Sequence, residues 1–293
     1  MAIAQTAFIG LGAMGLPMAR NLARAQMPVR GFDLRESAGA SLVAAGGEVA
    51  DSAADCCNGA SAVVLMVVNL AQAERVLFHD GALAALAPGA VVVLTATCPP
   101  EGVASLAADV QAAGHRFVDA PVSGGVVGAE AATLTIMAAG SDDAMRAAMP
   151  LLRAMGSKIV KVGNSPGQGA TAKSVNQLLA GVHLAVAAEA LSLAETLGLD
   201  MDAMLDIVGG SAASSWMLRD RGPRMLQSDP IVTSAVDIFV KDLGIVLEAG
   251  REARTALPFA ALAHQLFLSV SGRGLGTADD SRVIQAYRSL QGQ

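Results

Sequence analysis

The strongest constraint in this 293-residue chain is Gly10-Leu11-Gly12-Ala13-Met14-Gly15, which closes an apolar run beginning at Thr6 and opens a helical pattern over Met14–Ala25. Glycines at this spacing suit a strand that turns sharply into a helix. Gly10 permits the turn, Gly12 lets backbone approach a pyrophosphate with no Cβ in the way, and Gly15 lets the helix lie close to the strand. The N–H groups of the first helical turn, around Leu11, Ala13 and Met14, then face phosphate charge. Asp33 ends the next predicted strand, Val29–Asp33, where a carboxylate grips the hydroxyls of an adenosine ribose. A carboxylate there repels a 2′-phosphate, so the expected cofactor is NAD. Arg35, two residues on, is the feature that could pair with that phosphate instead. A glycine turn that binds nothing is the competing reading, and strand, spacing and acid together weigh against it.

Beyond the turn, short β-branched runs alternate with helical stretches. Predicted strands are Thr6–Gly10, Val29–Asp33, Ala62–Val68, Val91–Leu94, Arg116–Asp119, Leu134–Ala138 and Lys158–Val162. Helical patterns between them include Pro100–Ala113 and a stretch around Asp142–Met155. This alternation predicts parallel βαβ units with helices on both faces, an α/β Rossmann domain with a mainly parallel, doubly wound sheet. The cluster Gly163-Asn164-Ser165-Pro166-Gly167 reads as a hinge. After it helices dominate, first a long one over Gly169–Leu197, then Met201–Val208, Trp216–Leu226, Val236–Arg251, Phe259–Ser271 and Asp279–Leu290. Two domains are expected: residues 1–164 for the dinucleotide and an all-α C-terminal domain, residues 165–293, for substrate and oligomerisation. Thr277 with Asp280 resembles a capping box opening the last helix.

With 53% hydrophobic and 16% charged residues the chain has ample material for large cores. Its formal net charge of -6 gives no footprint for nucleic acid or an anionic membrane. No membrane span is expected, because the apolar stretch after Leu178 is interrupted by His183 and Glu189. The N-terminal residues Ile3 to Ile9 read as a strand of the mature protein, without the charged start and cleavage site of a signal peptide. Cys56, Cys57 and Cys98 make a poor disulfide framework, which points to a reducing cytoplasm. The scattered His79, His115, His183 and His264 suggest no metal cluster, and His183 reads as a packed core residue.

Two further segments carry candidate chemistry. Asp119-Ala120-Pro121-Val122-Ser123-Gly124-Gly125 leaves an apolar strand with a hydroxyl and two glycines, a set of neutral donors that can hold a carboxylate. On sequence chemistry alone an ordinary strand-to-loop turn is the better explanation. Gly167-Gln168-Gly169-Ala170-Thr171-Ala172-Lys173-Ser174-Val175-Asn176-Gln177 opens the long helix and puts Lys173 and Asn176 on one face. A lysine in so apolar a helix stands out, since lysines are usually solvated. Residues 167–174 nearly spell a phosphate-binding loop, but Ala172 occupies the second required glycine.

With these motifs in view, the chain resembles the β-hydroxyacid dehydrogenase family, from the Gly10 turn to Thr277-Ala278-Asp279. The resemblance implies an NAD-dependent oxidation of a small hydroxy acid. It implies that Lys173 is the catalytic acid/base and that Ser123, Gly124, Gly125 and Asn176 hold the substrate. By the same likeness Leu65 and Met66 border the cofactor, Thr97 lies beside its nicotinamide end, and Lys241 stands near it. Ala96, where a serine is common, and Gln177, where a second asparagine is common, depart from the pattern. Val67-Val68-Asn69-Leu70-Ala71-Gln72, Leu178-Leu179-Ala180-Gly181-Val182-His183, Ser215-Trp216-Met217 and Ser234-Ala235-Val236-Asp237-Ile238-Phe239 resemble a branch acting on a four-carbon sugar acid. There Asn69, Gln72 and Asp237 are candidate partners for the extra hydroxyls. The family pairs through its long helix, so a homodimer or homotetramer is expected. A non-catalytic NAD sensor is the alternative from another class.

Overall fold

The structure, a computed structural model, describes residues 5–35 and 38–290. The residues before Gln5, which the sequence reading joins to the first strand, lie outside that range. Contacts along the chain divide it into two compact units, Met1–Lys173 and Ser174–Gln293.

Among the described residues the first unit is built on nine strands: β1 (Thr6–Ile9), β2 (Val29–Phe32), β3 (Glu48–Val49), β4 (Ala62–Leu65), β5 (Val91–Leu94), β6 (Arg116–Asp119), β7 (Val122–Ser123), β8 (Thr135–Ala139) and β9 (Lys158–Gly163). They form one sheet in the order β3-β2-β1-β4-β5-β6-β8-β7, with β9 also on β8. Neighbours from β3 to β6 run parallel, whereas β8 is antiparallel to both β6 and β7. The chain order reverses between β1 and β4, and in such sheets ligands bind at that switch point, beyond the carboxyl ends of the strands.

Why the central strands β1, β4 and β5 carry no charge and are buried end to end follows from how they are covered. Side chains alternate in direction along a strand, so a sheet covered on both faces buries every position. Ala7, Ile9, Val63, Leu65, Val92 and Leu94 enter one core with Val103 and Leu106 from the helix Pro100–Ala112. Phe8, Val64, Val91 and Val93 enter the other with Met18 and Leu22 from the helix Gly15–Arg24 and Leu151 and Leu152 from the helix Asp142–Met155.

The long helix runs unbroken over Gln168–Thr196. It is long and apolar enough to cross a membrane, yet half of its most apolar window is buried within the protein. In the second unit Leu184, Ala185, Ala188 and Leu191 pack with Phe239 and Leu243 of the helix Val236–Glu252 and Phe267 of the helix Pro258–Val270. Phe239 and Phe267 stack at 4.9 Å. His183 is exposed, not packed, because it lies off that buried stripe.

The expected capping box at Thr277 and Asp280 is not what closes the chain. Asp279 is the N-cap of a short turn over Asp280–Val283, accepting from the Ser281 N–H, and the last helix is Ile284–Leu290. Asp280 is buried and engages Arg221 at 2.7 Å instead, while Asp279 takes Arg224 at 3.0 Å. Local spacing resembles a cap, but one buried and one partly buried guanidinium compete for the carboxylates and win.

Candidate active site

In the first unit the predicted cofactor residues gather at one end of the sheet. Gly10 follows β1, Asp33 follows β2, Met66 follows β4 and Thr97 stands beyond β5. Leu65 is the fully buried last residue of β4. Gly10 has φ +96°, which glycine alone adopts freely, and a Cβ there would sit 2.4 Å from the Met66 carbonyl oxygen. A Cβ on Gly15 would meet the Gly10 carbonyl oxygen at 1.9 Å, so the helix lies directly against the turn. Gly12 differs from both. A Cβ there meets nothing nearer than the Arg35 guanidinium at 3.7 Å. That open space beside a helix N-terminus is a cradle a side chain would fill, and it fits the pyrophosphate of a dinucleotide.

Asp33 is tied to this turn, accepting from the Leu11 N–H at 2.8 Å. Arg35 does not point away toward a phosphate. Its backbone N–H and Nε donate to Asp33 Oδ1 at 2.9 and 3.0 Å, and its Nη2 reaches Oδ2 at 3.2 Å. Burial works against the Asp33 charge, but the hydrogen bonds from Arg35 and Leu11 and the guanidinium charge outweigh it and hold the carboxyl below its ordinary range. Asp33 is therefore ionised at neutral pH, an acceptor for ribose hydroxyls.

Lys173, the last residue of the first unit, is buried, and its Nζ donates to the Val122 carbonyl oxygen at 2.7 Å. The next residues along that strand are Ser123, Gly124 and Gly125, all partly accessible. The structure thus brings the amine within one residue of the Ser-Gly-Gly turn. The same helix start resolves the phosphate-loop reading. Asp119 Oδ2 accepts from the Gly167 and Ala170 N–H groups at 2.9 and 2.8 Å, so the protein's own carboxylate holds the place a phosphate would take.

Within the second unit, Asn176 Nδ2 donates to Gln177 Oε1 at 2.9 Å, and Gln177 Nε2 donates to Asp242 Oδ2 at 2.6 Å. Lys241 pairs with the other oxygen of Asp242 at 2.7 Å. One polar chain therefore links Asn176 to Lys241 through two buried residues, Gln177 and Asp242. Gln177, noted in the sequence only as a departure, spans the distance to Asp242. Asn69 and Gln72 are committed to local capping: Asn69 Oδ1 accepts from the Gln72 N–H at 2.9 Å and Gln72 Oε1 from the Val68 N–H at 2.8 Å. Asp237 Oδ1 accepts from the Ser271 hydroxyl at 2.6 Å.

Asp119 and Asp242 are the residues sequence reasoning missed. The signal for Asp119 was present, since an acid directly after the buried pair Phe117-Val118 must find donors or stay out of the core.

Known proteins match the chain over nearly its whole length. Residues 5–163 match the NAD binding domain of 6-phosphogluconate dehydrogenase, and residues 167–287 match the NAD-binding domain of NADP-dependent 3-hydroxyisobutyrate dehydrogenase. The chain is 42% identical to an L-threonate dehydrogenase of Cupriavidus necator, over 97% of this chain and 96% of that one. A solved 3-hydroxyisobutyrate dehydrogenase from Salmonella typhimurium superposes with a TM-score of 0.92 at 40% identity, covering 96% of this chain and 99% of that one. One from Mycobacterium tuberculosis, solved with L-serine, gives 0.82 at 31% identity over 98% and 100% of the two chains.

Proposed function

The chain belongs to the β-hydroxyacid dehydrogenase family, and from that premise we propose that it oxidises L-threonate to the 2-oxo acid with NAD. The observation that carries the reading is the buried Lys173 amine, 2.7 Å from the Val122 carbonyl and adjoining the Ser123-Gly124-Gly125 turn. Bound NAD supplies the acceptor for the hydride leaving the carbinol carbon. The protein supplies the rest. Ser123 and the Gly124 and Gly125 N–H groups hold the substrate carboxylate, with Asn176 as a further donor. Lys173, in its neutral form, takes the hydroxyl proton on Nζ while one of its N–H bonds stays directed at Val122. In the reverse direction the ammonium polarises the carbonyl and returns that proton. Leu11, Ala13 and Met14 line the dinucleotide cradle, and Leu65, Met66 and Thr97 border it.

L-threonate as substrate rests on the likeness to the Cupriavidus necator enzyme and on the Asn69, Trp216 and Asp237 segments. The 40% identical Salmonella typhimurium structure favours 3-hydroxyisobutyrate as a second reading. A panel of L-threonate, 3-hydroxyisobutyrate and tartronate semialdehyde, assayed with NAD and NADP, separates them. We expect L-threonate with NAD to lead in kcat/KM by at least about tenfold, a difference of roughly 1.4 kcal/mol in transition-state binding. A lead for 3-hydroxyisobutyrate sinks the substrate assignment, and tight NAD binding without turnover on any member sinks the enzyme.

A homo-oligomer is part of the same proposal. Val175, Leu179, Val186 and Leu193 are each at least half exposed on the long helix. At about 100° per residue they fall within an arc of roughly 40°, a narrow apolar stripe on one face. A second copy of the chain, laying its own stripe alongside, covers it. Val186→Glu with Leu193→Glu is expected to halve the particle mass in light scattering, and an unchanged mass contradicts this interface. The cytoplasm is the proposed location, in keeping with three buried free thiols.

A further inference from the structure

We propose that Asp119 is a positioning residue whose carboxylate fixes the start of the long helix and, through it, the place of the Lys173 amine. The inference rests on the role given above to Lys173.

The argument is one of closure. Asp119 ends β6, and its Oδ2 receives the N–H groups of Gly167 and Ala170. Three residues further along the same segment, the Val122 carbonyl receives Lys173 Nζ. The segment from Asp119 to Val122 therefore grips the first turn of the helix at two points, backbone at its start and side chain one turn later. Little slack is left between them. A Cβ on Gly169 would lie 2.7 Å from the Met137 carbonyl oxygen and 2.8 Å from that of Asp119, and one on Gly167 would lie 2.8 Å from the Pro100 carbonyl oxygen. The helix start is seated directly on the strand ends.

Helix stability alone does not require this carboxylate. A serine or asparagine next to the helix would satisfy the same donors at the surface. Asp119 is instead 1% exposed, far along the chain, and burial pushes its carboxyl up to about 6 against the pull of the helix N–H groups. Desolvating a charge where a surface cap would serve makes sense if the gain is placement. What is placed is the amine, because a misplacement of the order of 1 Å can reduce rate by about a hundredfold.

The test uses Asp119→Ala and Asp119→Asn in the full chain. Asp119→Ala should lower kcat roughly tenfold to a hundredfold while KM for the hydroxy acid and the NAD dissociation constant move less than about threefold. Asp119→Asn keeps an acceptor oxygen and should restore most of kcat. The second readout needs no cofactor: acetylation of Lys173 in the unliganded protein, followed by mass spectrometry, should quicken several-fold in Asp119→Ala relative to exposed Lys158. A folded Asp119→Ala with wild-type kcat and wild-type Lys173 acetylation overturns the proposal. If that variant does not fold, Asp119→Ser carries both readouts. A wild-type protein inactive on every hydroxy acid removes the dehydrogenase reading, and the acetylation rates then decide this inference alone.

Discussion

Lys173→Ala should lose turnover by about 10²- to 10⁴-fold, the range that a positioned proton acceptor contributes, while NAD binding stays close to wild type. The expectation follows from where the amine sits. Nζ belongs to the first unit and is held by the Val122 carbonyl beside Ser123, whereas different residues, the Gly10–Gly15 turn and Asp33 bonded to Leu11, would hold the dinucleotide. Truncation therefore removes the proposed proton acceptor and leaves the cradle intact. Lys173→Arg should fare no better, because a guanidinium does not deprotonate near neutral pH and cannot accept the hydroxyl proton. Steady-state rates paired with an NAD titration check this, and a Lys173→Ala protein turning over at the wild-type rate would remove the proposed acid/base.

The second large effect separates two glycines that the motif treats alike. Gly15→Ala drives a methyl to 1.9 Å from the Gly10 carbonyl oxygen and 3.1 Å from the Phe8 ring, both in the rigid core of the turn. The helix must move off the strand, so stability should fall by roughly 3 kcal/mol and NAD binding with it. Gly12→Ala meets only a guanidinium tip at 3.7 Å. Its melting temperature should barely change, yet NAD affinity should drop by at least about tenfold, because the new methyl occupies the phosphate space. Thermal melts and calorimetric NAD titrations of both variants distinguish a packing glycine from a binding one. A Gly12→Ala protein that binds NAD as tightly as wild type would place the pyrophosphate elsewhere.

Much of the fold was legible in the chain itself, and the exceptions have physical causes. β5, Val91–Leu94, was read to the residue because both of its faces are buried and apolar residues fill it end to end. β4 was read as far as Val68 but ends at Leu65; the valines beyond it turn out of the sheet, and Val68 is half exposed. β3 is two exposed residues with no apolar pattern to detect. The glycine turn and Asp33 were legible because their constraints are local. Asp119 holding Gly167, and Gln177 holding Asp242, were not, since each pairing is set by how distant segments pack. His183 faces outward for a related reason: an apolar helix still has an exposed face, and sequence alone does not say which one.

The long helix crosses the boundary between the two compact units, with Lys173 on one side of it and Asn176 on the other. The halves are thus not modules that could be cut apart and recombined. A fragment ending at Lys173 would keep only a stub of helix, far below the length that holds its shape in water, and its amine would be the frayed terminus of a cleaved chain. Sequence change in the back half is tolerated only where it preserves this continuous rod.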